Sequence, residues 1–186
     1  MQEIICVLDG SGSMNSVKAD AIGGFNQFLK DQKAIPEEAN ITVAWFDSGF
    51  SIGYEGPLKD CPELEQWHVG GMTAMYDGIG KAIAHRRPSL EKSDAVVIAI
   101  LTDGEENSSR EYSQAGIAAL LTELQEDFNW DVIFLAADQD AWGVAQNLGI
   151  RKDMAFDYSS IDTAGGMRSY SSAVASSRLS NSKSDS

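Results

Sequence analysis

The sequence predicts an α/β protein: a doubly wound, mostly parallel central sheet with one short antiparallel edge strand and helices on both faces. Three observations carry that prediction. Apolar runs of strand length alternate with amphipathic stretches of helical period along the chain. Residues 95–101 are apolar almost throughout, as a strand covered on both faces must be. Residues 41–46 and 51–54 flank Asp47-Ser48-Gly49, a composition that closes a tight hairpin.

Taken in order, Ile4-Ile5-Cys6-Val7-Leu8 places a buried strand over residues 3–8. Residues 16–33 set Val17, Ala21, Ile22, Phe25, Phe28 and Leu29 at helical spacing, so one face of a helix packs inward. The hairpin follows, then a helix over 75–86 and the central strand over 95–101. Residues 113–127 form a helix with Ile117, Leu120, Leu121 and Leu124 on one face. A strand over 131–137, a helix over 141–148 and a short strand over 154–156 complete the alternation. Beyond Gly165-Gly166 the chain is Ser-rich, yet Met167, Tyr170, Val174 and Arg178 keep helical spacing, which predicts a final helix near 166–179. The expectation is one domain over 1–178 and a Ser-rich, disordered tail over 179–186.

Composition narrows the function. The chain has 186 residues with 14 Lys+Arg and 28 Asp+Glu, a net charge of −14. Such an acidic chain lacks the cations needed to displace counterions from nucleic acid or to dock on anionic lipid, so neither is an expected partner. A hydrophobic content of 43% excludes a wholly disordered chain. Apolar strand residues begin by Ile4 with no charged leader or cleavage signal, and no apolar run approaches the roughly 18 residues of a membrane span. Cys6 in a strand and Cys61 in a polar loop read as two reduced thiols rather than a disulfide. These observations together predict a cytoplasmic protein.

In doubly wound sheets ligands bind beyond the carboxyl ends of the strands, where strand order reverses. The residues there are informative. The first strand runs into Asp9-Gly10-Ser11-Gly12-Ser13, and the central strand into Leu101-Thr102-Asp103-Gly104. Between them Gly70-Gly71-Met72-Thr73 brings a glycine pair and a hydroxyl just before a helix. Asp9, Ser11, Ser13, Thr73 and Asp103 are all hard oxygen donors, with no His or Cys among them. That set suits Mg²⁺, Mn²⁺ or Ca²⁺ rather than zinc or copper, and the small number of carboxylates favours Mg²⁺ or Mn²⁺ over Ca²⁺.

Asp9-x-Ser11-x-Ser13 with Thr73 and Asp103 resembles the complete metal-ion-dependent adhesion site of von Willebrand factor type A domains, over about residues 1–178. The detail looks most like small stand-alone bacterial or phage members of that family. The resemblance implies a metal held directly by the Ser11 and Ser13 hydroxyls, by Thr73 directly or through water, and by Asp9 and Asp103 mainly through water. It leaves one coordination position to an Asp or Glu carboxylate of a protein partner. A metal-dependent binding module within a larger assembly is therefore the expected function.

Plainer readings stand beside this one. Asp9-Gly-Ser-Gly-Ser taken alone is also a helix-entry loop. Met72 and Phe50 are candidates for an apolar rim around the metal. Glu105 and its neighbour Glu106 either tune the site or are solvated loop charge, and the second account is the expected one. Asp138-Gln139-Asp140 either lines the rim through Asp138 or caps the helix that starts near Ala141. His68 is a loop residue without an assigned role, and His85 a solvated helix end. The four tryptophans are expected to pack rather than to form a stacking platform. Catalytic motifs fail on particular residues: Ser11 replaces the second Asp of a dehalogenase-type phosphatase, and no lysine completes a P-loop. Asn15 breaks both a dinucleotide fingerprint and a nucleophile elbow. The alternative left is a metal-dependent hydrolase acting on a phosphate or acyl ester, with Glu105 as general base.

Overall fold

A computed structural model describes residues 1–103, 105–137, 140–158 and 163–182. Six strands form one sheet in the order β3-β2-β1-β4-β5-β6. They are β1 (Gln2–Asp9), β2 (Ala39–Phe46), β3 (Phe50–Pro57), β4 (Ala95–Thr102), β5 (Asp131–Ala137) and β6 (Ala155–Tyr158). All neighbouring pairs are parallel except β2 and β3, which are antiparallel, so the expected hairpin is present; its edge strand is not short, since β3 runs eight residues where 51–54 were expected. The helices are α1 (Lys18–Lys33), α2 (Met75–Arg86), α3 (Gln114–Asp127), α4 (Ala141–Asn147) and α5 (Thr163–Ser182).

Strand alternation divides the core in two. On β1, Ile4, Cys6 and Leu8 face Phe25 and Phe28 of α1 and Tyr170 and Val174 of α5. Ile5 and Val7 face Ile79 of α2, Ile117 and Leu121 of α3 and Ala145 of α4. All eight β1 residues are buried, which explains the near-continuous apolar run. Among the described residues no helix is long and apolar enough to cross a membrane.

Three local expectations change. The first helical segment starts as a tight 3-10 turn, Gly12–Ser16, and α1 begins only at Lys18. Cys61 is buried at the end of the turn Leu58–Asp60, against the α1 side of the core, rather than in an open loop. Both cysteines are free, and burial pushes both thiols up, Cys61 to about 11. They stay protonated at neutral pH and are poor nucleophiles.

The last helix is longer at both ends than expected. It runs to Ser182, so residues 179–182, assigned to the tail, are helical; residues 183–186 lie outside the described residues. Arg178 explains the extension. It is 1% exposed, and its guanidinium donates to Gln2 Oε1 (2.8 Å) and to the carbonyls of Gln32 (2.8 Å) and Glu37 (2.8 Å). That anchor holds the last turns against the amino edge of the sheet, where serine-rich composition alone would not.

Candidate functional site

The chain moves outward from β1 to β2 and β3, then crosses back to place β4 on the other side of β1. The switch point therefore lies between the carboxyl ends of β1 and β4. Asp9 closes β1 there, fully buried. Its Oδ1 accepts the Ser11 N–H at 2.7 Å, and its Oδ2 accepts the Thr102 hydroxyl at 2.7 Å and the Asp103 N–H at 3.4 Å. Its carbonyl accepts the Trp67 indole N–H at 2.8 Å. Ser11 is buried and its Oγ lies 3.0 Å from Ser13 Oγ. Ser13 is exposed and donates to Asp103 Oδ1 at 2.8 Å. Four of the five residues expected at this edge are thus joined in one hydrogen-bonded chain.

Thr73 reaches the same place through backbone. Gly70 N–H donates to the Gly10 carbonyl (2.9 Å) and Gly12 N–H to the Gly71 carbonyl (3.2 Å), which lays the 70–73 segment along the serine loop. Gly10 is required by the close approach, because a Cβ there would stand 2.9 Å from the His68 carbonyl oxygen. Gly71 takes φ +72°, a left-handed conformation that suits glycine. Thr73 itself is 4% exposed and exchanges backbone bonds with Asn107, donating to its Oδ1 (2.9 Å) and accepting its N–H (3.0 Å).

The rim is only partly as expected. Met72 is 52% exposed, held by its N–H to Ser48 Oγ at 2.8 Å. Phe50 is half-buried and packs on the α2 side of the core, so it is a wall more than an open rim. Glu105 is exposed. Asp138 lies outside the described residues. Asp140 caps α4, its Oδ1 accepting the Gly143 N–H at 2.9 Å.

Glu106 is not the solvated loop charge expected. Its Oε1 accepts the N–H groups of Ser108 (3.0 Å) and Ser109 (2.6 Å), and its Oε2 accepts the Tyr76 N–H (3.1 Å) at the start of α2. Asp77, in the first turn of α2, returns the favour to the same loop. It accepts the N–H groups of Arg110 (2.9 Å), Glu111 (2.9 Å) and Tyr112 (2.8 Å). Burial opposes its charge, but those three donors and Lys81 outweigh burial and hold the carboxyl below its ordinary value. Asn107, Glu106 and Asp77 together clamp the segment carrying Asp103 onto the helix that follows Thr73. Asp77's place in the first turn of a helix is a weak sequence signal; the Glu106–Tyr76 bond and the three bonds to Asp77 each span 30 residues or more and leave none.

His85 is exposed in the last turn of α2, as expected, and its Nε2 lies 2.5 Å from Glu55 Oε2. One further expectation fails. Trp142 is 45% exposed instead of packed, with the Lys152 ammonium 4.6 Å from its ring centre.

The donors of the expected set joined by hydrogen bonds are two carboxylates and two serine hydroxyls, with Thr73 on the adjoining segment, all oxygen. Among the described residues no group of three or more His, Cys, Asp or Glu gathers anywhere, so a zinc-type cluster finds no support. The hydroxyl-rich set fits a hard divalent ion, with water filling positions that two carboxylates leave open.

Comparison with solved structures identifies the architecture. The chain aligns over 93% of its length with 94% of the vWF domain of the type V pili tip protein Mfa5 from Porphyromonas gingivalis, at TM-score 0.67 and 10% identity. This is the von Willebrand factor type A fold. The ArnB paralog VWA2 from Sulfolobus acidocaldarius matches at TM-score 0.61 and 19% identity over 89% of this chain and 43% of that one. The manganese-loaded TRAP protein of Plasmodium vivax matches at TM-score 0.62 and 11% identity, over 91% and 73%. The chain spans less than half the length of the first solved chains it matches. No family model and no curated protein sequence matches it.

Proposed function

We propose that the chain is a divalent-metal-dependent protein-binding module. Asp9, Ser11, Ser13, Thr73 and Asp103 hold Mg²⁺ or Mn²⁺, with Ca²⁺ less suited, and an Asp or Glu carboxylate of a protein partner completes the coordination. The observation that carries this reading is the Ser11–Ser13–Asp103 chain seated on the buried Asp9 at the switch point. When bound, the ion supplies an electrophilic centre that two carboxylates neutralise only formally. It therefore attracts an incoming acid, and close charge pairs across an interface can couple by several kcal/mol. Solved structures of the same fold include a pilus tip protein and a manganese-loaded protein, which supports both halves of the reading. The two buried, protonated thiols suit the reducing cytoplasm.

Affinity capture in Mg²⁺ against EDTA tests it. A partner retained in Mg²⁺ and released by EDTA, and not retained by Ser13→Ala, is the expected result. Capture indifferent to both changes would remove the metal from the account. The hydrolase alternative needs Glu105 as base, and turnover of a phosphoester panel that vanishes in Glu105→Ala would favour it instead.

A further inference from the structure

Beside the serine loop lies a pocket of ≈ 600 Å³ walled by Gly10, Trp45, Asp47, Phe50, Gln66 and His68. Gly10 stands between Asp9 and Ser11, so pocket wall and site loop are consecutive residues, with successive Cα atoms about 3.8 Å apart. The Trp45 indole lies along Gly53 and is braced edge-on by Trp67, with ring centres 4.8 Å apart. Asp47 is the one carboxylate of the lining, which contains no Lys or Arg. Its Oδ1 accepts the Gly49 N–H at 2.6 Å, and among the described residues no cation pairs with it. The pocket thus offers fixed aromatic surface and an unbalanced negative charge.

We infer that this pocket receives an arginine side chain of the partner, within about three residues of the acid that reaches the serine loop, the span an extended chain covers at roughly 3.4 Å per residue. The assignment rests on the binding reading above and adds its specificity. A guanidinium is attracted to the indole face and pairs with a carboxylate in the same plane. Arginine also answers an electrostatic difficulty: a chain of net charge −14 repels a ligand that is acidic throughout, and a cation beside the acid offsets that repulsion. Asp47 is fitted to this role because its backbone is tied on both sides, N–H to Gly49 carbonyl (3.1 Å) and carbonyl to Ala74 N–H (2.8 Å).

The test is ¹⁵N NMR on the full chain in Mg²⁺, following the Trp45 indole N–H (assigned with Trp45→Phe). Two peptides are titrated, each with one Asp, identical except for arginine or norleucine two residues away. The arginine peptide is expected to shift the indole resonance saturably and to bind about tenfold tighter. Asp47→Asn keeps the acceptor that holds the turn and removes the charge, so it erases the arginine advantage and leaves the norleucine peptide unchanged. Equal affinities, a preference for norleucine, or no indole shift up to millimolar peptide overturns the assignment. The two readings fail separately. An arginine-dependent shift that survives EDTA keeps the pocket and removes the metal. Binding that needs Mg²⁺ but ignores arginine does the reverse.

Discussion

Glu3 and Asp9 occupy opposite ends of β1, are 2% and 0% exposed, and are neutralised in different ways. Glu3 Oε1 accepts Arg86 Nε at 3.1 Å and Nη2 at 3.0 Å, and the Thr42 hydroxyl at 3.3 Å. Arg86 continues to Glu55 Oε1 at 2.9 Å, so the charges at the amino edge are balanced by a side-chain cation. Among the described residues Asp9 accepts two N–H groups and a hydroxyl, and no Lys or Arg pairs with it. N–H and hydroxyl donors satisfy a carboxylate's lone pairs without supplying a counter-charge. The amino edge has spent its charge on cohesion, while the carboxyl edge keeps a negative potential beside three hydroxyls. A dication is the natural complement of that second arrangement.

Breaking the amino edge should have the largest effect. Arg86→Met strands Glu3 as an unpaired buried charge and should cost about 3–5 kcal/mol in urea unfolding at neutral pH. Burial, only partly offset by Arg86, raises the Glu3 carboxyl above its ordinary value of 4.5. The sign follows: its contribution is most favourable below 4.5 and declines as pH rises through the raised folded value. Glu3→Gln should flatten that decline in a stability–pH profile.

The carboxyl edge should respond to metal instead. Mg²⁺ at 100 times its dissociation constant should stabilise the wild type by about 2.7 kcal/mol in thermal unfolding, and leave Ser13→Ala unchanged.

Asp77→Asn sits between the two in kind, since it loosens the loop carrying Asp103. It should cost about 1–2 kcal/mol at neutral pH, from weakened charge-assisted bonds. The Asp77 carboxyl lies below its ordinary 3.8, so its contribution is full above that value and is lost as pH falls through the depressed one. Wild type and variant should therefore converge in acid. Ser13→Ala without metal is the smallest change, within about 0.5 kcal/mol, because Ser13 is exposed.

The fold was legible because period and burial agree. β1 and β4 are buried on both faces and read as continuous apolar runs, and the hairpin turn is local. Asp9, Ser11, Ser13 and Asp103 were legible as neighbours because each sits where a strand ends at one sheet edge. What the sequence hid is long-range and polar. Arg178 shares a helical stripe with Met167, Tyr170 and Val174, and its burial depends on carbonyls of Gln32 and Glu37 that no spacing reveals. The same holds for the Glu106–Tyr76 and Asn107–Thr73 bonds, which join segments 30 residues or more apart. Serine-rich composition argued for an early end to α5, and tertiary anchoring overrode it.

Calorimetric titration of Mn²⁺ into the wild type, Ser13→Ala and Asp103→Asn addresses the central claim most directly. One saturable site in the wild type, absent from both variants while their circular dichroism stays native, is the predicted result. No binding heat in the wild type, or equal binding by all three proteins, would contradict it.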